Sequence, residues 1–81
     1  MTKKQKLFDL FLQNPKALSY AEIKKILLWL RFEFISGKTG SYVKFRYQRN
    51  ILIFSPHNGK IKEYQKEKAR NLVKKLSLKI L

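Results

Sequence analysis

Apolar residues recur at Leu7, Phe8, Phe11 and Leu12, the spacing of one helix face. The pattern predicts a helix from Lys3 to Gln13, with Thr2 able to cap its start. Asn14-Pro15 is its stop, because a residue before proline is pushed out of the helical region. Ser19-Tyr20-Ala21-Glu22 has the form of a capping box, with Ser19 as N-cap and Glu22 three positions on. Behind it Ile23, Ile26, Leu27 and Leu30 make a core-facing stripe, so a second helix is expected from about Tyr20 to Leu30.

The period then changes. Phe32-Glu33-Phe34-Ile35 alternates at period two, a short strand, and Ser36-Gly37-Lys38-Thr39-Gly40 reads as a glycine-bearing loop. From Ser41 to Tyr47 the chain alternates again, with Val43, Phe45 and Tyr47 on one face and Tyr42, Lys44 and Arg46 on the other. Gln48-Arg49-Asn50 reads as a hairpin loop and Ile51 to Phe54 as the return strand. A three-residue loop would pair Tyr47 with Ile51 and Phe45 with Ile53. The buried sheet face would then be Val43, Phe45, Tyr47, Ile51 and Ile53. Ser55-Pro56-His57-Asn58-Gly59 is a loop by composition. A last helix is expected from Tyr64 or Gln65 to Leu76, burying Ala69, Leu72, Val73 and Leu76, with Lys66, Lys68, Arg70, Lys74 and Lys75 on its outer face. The order α-α-β-β-β-α predicts an α+β fold, a three-stranded antiparallel sheet with helices on one face.

Composition adds a thin core and a strong charge. At 81 residues the chain is one small domain, able to bury only about 60–65% of its unfolded surface. It has no cysteine, hence no disulfide and no thiolate metal site. With 44% hydrophobic residues, among them six Phe, four Tyr and one Trp, it has enough apolar material to fold. Nineteen Lys and Arg against five Asp and Glu give a net charge of +14. Self-repulsion on that scale points to a polyanionic partner: nucleic acid, an acidic protein or an anionic membrane surface. No apolar run approaches the roughly 20 residues that span a bilayer, and the basic start is followed by too short an apolar stretch for a signal peptide. The expectation is a soluble cytoplasmic protein.

Candidate chemistry is sparse. Lys38, Lys44, Arg46, Arg49, Lys60 and Lys62 fall on or beside the predicted sheet, mixed with Tyr42 and His57. Cations can contact phosphates, and aromatic faces can stack on bases. His57 is the only histidine, so ligand count argues against a metal site and no serine triad can be assembled. No cofactor is expected, and paired carboxylates for acid–base work are absent. Gly37 and Gly40 join two strands rather than opening a helix, a weak phosphate-loop signal.

From Ser19 to Leu78 the chain resembles the HicA (YcfA-like) toxin family. The resemblance rests on Trp29-Leu30-Arg31-Phe32 at the end of the second helix and on Gly40-Ser41-Tyr42-Val43-Lys44-Phe45 in the hairpin. Ile53-Phe54-Ser55-Pro56-His57 follows, and Ala69-Arg70-Asn71-Leu72-Val73-Lys74-Lys75-Leu76 lies in the closing helix. Each motif is short; their order and spacing together carry the likeness. It implies a double-stranded-RNA-binding-domain-like fold, metal-independent cleavage of mRNA, translation arrest, and neutralisation by a HicB-type antitoxin. The RNA contacts it suggests are Lys38, Ser41, Lys44, Arg46, Lys60 and Lys62. Residues 1–18 lie outside it, as an N-terminal helical extension that either adds to the core or offers a docking surface.

Two positions depart from the family. Its catalytic histidine falls at Tyr42. An imidazole can take a proton from a ribose 2′-hydroxyl at neutral pH, whereas a phenol is almost fully protonated there and a poor base. Losing a general base typically costs about 10²–10⁴ in rate. His57 is the one candidate substitute, since the expected register sets Tyr42 opposite Pro56. Arg31 stands where the family usually has a glycine that ends a helix. If that left-handed conformation is kept, arginine costs about 1 kcal/mol. Both replacements, Gly to Arg and His to Tyr, are one base transition away, which suggests a crippled form of a toxic protein or a naturally weakened one. Three readings follow: an endoribonuclease inactive or weakened as written, a non-catalytic RNA-binding domain, and a protein whose basic face docks only an acidic antitoxin or membrane.

Overall fold

In the computed structural model, residues 3–36 and 42–79 are described. The expected Thr2 cap, the glycine-bearing loop after Ser36, Lys38 and Ser41 lie outside them. Three helices and a three-stranded antiparallel sheet follow one another as α1 (Lys3–Gln13), α2 (Tyr20–Trp29), β1 (Glu33–Ser36), β2 (Val43–Tyr47), β3 (Asn50–Phe54) and α3 (Glu63–Lys75). The sheet order is β1-β2-β3. The fold is α+β with the order α-α-β-β-β-α.

Each helix begins and ends for a local reason. α2 starts on the capping box: the Glu22 N–H donates to Ser19 Oγ at 3.3 Å and the Ser19 N–H donates to Glu22 Oε1 at 2.9 Å. It ends in a Schellman motif. The Phe32 N–H reaches the Leu27 carbonyl and the Arg31 N–H that of Leu28, with Arg31 between them at φ 73°. α3 ends the same way, Leu78 donating to Val73 and Ser77 to Lys74, with Ser77 at φ 54°. α1 stops before Pro15, which opens a 3₁₀ turn over Pro15–Ala17.

α3 then ties the N-terminal segment down. Arg70 donates to the Leu12 carbonyl at 3.2 Å and Lys66 to that of Lys16 at 3.5 Å. These cations serve the C-terminal end of α1 and the turn after it, where carbonyls lack helical partners. Lys16 also sits 3.3 Å from Glu67 and 3.9 Å from Glu63. Phe8, Phe11 and Leu18 are buried in one cluster with Ile23, Ile26, Leu27, Phe45, Phe54, Ala69 and Val73. Residues 3–18 therefore contribute to the central core.

The hairpin differs from expectation by one residue. Tyr47 pairs with Asn50, Phe45 with Leu52 and Val43 with Phe54. The loop is two residues, Gln48 and Arg49, with Gln48 at φ 55°. A one-residue slip turns every side chain of a strand to the opposite face. Leu52 and Phe54 are 2% and 1% exposed, whereas Ile51 and Ile53 are 52% and 54% exposed. The expected burial of Ile51 and Ile53 is thus corrected. On β2 and β3 the buried residues are Phe45, Leu52 and Phe54, with Val43 and Tyr47 half-buried against the core.

Candidate nucleic-acid interface

The outer face of the sheet is built in rows. Ile35, Lys44 and Ile53 lie side by side across the three strands, and Glu33, Arg46 and Ile51 form the next row. Alternation along β2 sends Lys44 and Arg46 outward because Val43, Phe45 and Tyr47 go inward. Tyr42, just before β2, belongs to the same side: the Lys44 ammonium stands 5.7 Å from its ring centroid. Arg46 is ion-paired with Glu33. Lys44 has no carboxylate partner among the described residues and is flanked by two isoleucines. The face is therefore a tyrosine and an unpaired lysine beside a partly exposed apolar strip, with Arg46 neutralised locally.

His57, Lys60 and Lys62 form a second group. The expected loop here contains a miniature hairpin. His57 and Lys60 exchange both backbone hydrogen bonds, at 2.7 and 3.0 Å, around Asn58 and Gly59. Both turn residues have positive φ, 54° and 76°. That is the demand of a type I′ turn, and Asn-Gly is its strongest sequence signal. His57, Lys60 and Lys62 line a cavity of about 370 Å³ together with Ser55, Asn58 and Ile61. Tyr42 is not among its walls. The observed register also places Ser55, not Pro56, at the step after the Val43–Phe54 pair. The predicted site residues thus fall into two groups, Tyr42 with Lys44 and Arg46 on the sheet, and His57 with Lys60 and Lys62 at the turn. Arg49 is exposed in the hairpin loop, at the opposite end of β2 from Tyr42.

The apolar strip and the Glu33–Arg46 pair were not legible in the sequence, because both depend on register. A third feature was not legible either. Trp29, Arg31, Tyr47 and Lys79 meet Lys4 around a cavity of about 270 Å³ at the end of α2. Its members come from four separate segments, and no spacing rule connects them.

No three His, Cys, Asp or Glu side chains come together as metal ligands among the described residues. No helix among them is long and apolar enough to cross a membrane. In comparison with known proteins, no family model, no curated protein and no solved structure matches the chain.

Proposed function

We propose that the chain is an RNA-binding protein of the HicA kind, a toxin-type endoribonuclease whose cleavage is weakened or lost because a phenol occupies the general-base position. The observation that carries this reading is the placement of Tyr42. It stands on the outer side of the sheet beside Lys44, a cation without a carboxylate partner among the described residues. From α2 onward the order α-β-β-β-α fits the fold that the resemblance implies.

In such an enzyme the base removes the proton of a ribose 2′-hydroxyl. The freed oxygen bonds to the adjacent phosphorus, and the bond from phosphorus to the 5′-oxygen breaks as that oxygen takes up a proton. Lys44 would hold the phosphate, and Tyr42 would stack on a base or donate a hydrogen bond without accepting the proton. The partly exposed strip of Ile35, Ile51 and Ile53 beside Lys44 suits a HicB-type antitoxin that combines apolar and acidic side chains.

A non-catalytic RNA-binding domain is the second reading. It is favoured by the position of His57, the only imidazole, around a cavity that Tyr42 does not line. Fluorescence anisotropy with a labelled RNA, across a salt series, tests the binding that both readings share. A steep linear fall of log K with log salt is expected, and Lys44→Ala should flatten it by roughly 0.7–0.9. Salt-insensitive binding, or none, would remove RNA as the ligand and leave the acidic-partner reading.

A further inference from the structure

At the end of α2 the chain keeps an arginine in a backbone conformation that a glycine adopts cheaply. Arg31 has φ 73°, held by its own N–H donating to the Leu28 carbonyl and the Phe32 N–H donating to that of Leu27. A strained residue retained by its surroundings invites a functional reading of its side chain. Arg31 lines the cavity it shares with Trp29, Tyr47, Lys4 and Lys79.

The chemistry of this cavity is one-sided. Three cations, Lys4, Arg31 and Lys79, line it, and among the described residues no carboxylate does. Among the described residues none of the three side chains makes a hydrogen bond or an ion pair; Lys4 only stands over the Trp29 ring, 5.1 Å from its centroid. Asp9 lines the adjoining groove instead and accepts a hydrogen bond from Gln5. In a chain with so few acids, unpaired cations alone mean little. Here they converge on one concavity whose remaining walls include two aromatic side chains. Tyr47 is itself braced by Phe32, ring centroids 5.3 Å apart. The volume, about 270 Å³, falls just below the roughly 300–1,000 Å³ that drug-sized ligand sites span.

We propose that this cavity binds a nucleoside phosphate, with the phosphate among Lys4, Arg31 and Lys79 and the base against Trp29 or Tyr47. Stacking platforms beside cationic grooves are how unpaired nucleotides are held without sequence preference. The ligand is either one nucleotide of a single-stranded RNA or a free mononucleotide. The site lies at the opposite end of β2 from Tyr42, so it goes beyond the reading of that residue and does not need cleavage.

Trp29 is the only tryptophan, so intrinsic fluorescence reports this site directly. The full chain is titrated with a short oligouridylate, with uridine monophosphate and with inorganic polyphosphate. Saturable quenching is expected with one or both uridine ligands. Quenching by the oligonucleotide alone identifies an RNA strand as the source; equal quenching per site by the mononucleotide identifies the free nucleotide. One phosphate neutralised predicts a log–log salt slope of about −0.7 for a single strand. Arg31→Gly suits the backbone, so the protein stays folded while affinity falls roughly tenfold. Lys4→Ala with Lys79→Ala should weaken binding further. Three results would each overturn the proposal. They are no saturable quenching by either uridine ligand, quenching by polyphosphate as strong as by oligouridylate, and affinity unchanged in both variants.

Discussion

Phe45 lies opposite Leu52 across the β2–β3 hairpin, and that pairing decides which side of the sheet β3 shows to solvent. Ile53, one residue on, points the other way beside Lys44. Leu52→Ala should therefore cost about 2–5 kcal/mol, whereas Ile53→Lys should change stability by less than about 0.5 kcal/mol. Urea unfolding of the two variants measures this directly. Pairing of Phe45 with Ile53 would exchange the two effects.

The reason this register escaped the sequence is local. Ile51-Leu52-Ile53-Phe54 is apolar at every position, so alternation cannot choose a face, and Gln48-Arg49-Asn50 carries no glycine to mark a turn type. Gln48 nonetheless takes positive φ at the turn. Where periodicity and capping agreed, the sequence was legible. The capping box at Ser19, the stripe of Ile23, Ile26 and Leu27, and Phe8 and Phe11 in α1 all stand as read. The outward direction of Tyr42, Lys44 and Arg46 was also legible, since it follows from β2 alone. The cavity at Trp29 was not, because it is assembled from α1, the α2 terminus, the end of β2 and the segment after α3.

α1 belongs to the core, with Phe11 fully buried. Phe11→Ala should cost about 3–5 kcal/mol. A chain beginning at Ser19 loses Phe8, Phe11 and Leu18 together and should lack a cooperative thermal transition by near-ultraviolet circular dichroism. A stable, cooperative truncation would make α1 an appendage.

Arg31 in its left-handed conformation predicts a gain on substitution. Arg31→Gly should stabilise the fold by about 1 kcal/mol, raising Tm by roughly 4–8 °C for a domain of this size. Arg31→Val, β-branched at the same backbone angle, should lower it. Differential scanning calorimetry distinguishes these outcomes.

Tyr20 carries the clearest pH effect. Burial pushes its phenol above the ordinary tyrosine value of 10.0, and its ring meets Phe54 edge-on at 6.2 Å. Its neutral form is favoured by folding, so this stabilisation is complete below pH 10 and is lost as pH rises through the folded value. The stability difference between the parent chain and Tyr20→Phe should be constant from pH 7 to 9 and move in favour of Tyr20→Phe above about pH 10. Urea midpoints across that range would show it, and a constant difference throughout would count against burial as the cause.

Cleavage of a labelled mRNA fragment by purified Tyr42→His, beside the parent chain and without added metal, tests the central claim most directly. With folding of both checked by circular dichroism, the variant should cut about 10²–10⁴ times faster than the parent, while both bind the RNA with similar affinity. A folded Tyr42→His that binds the RNA and leaves it intact would contradict the assignment of position 42 as the site of the missing base.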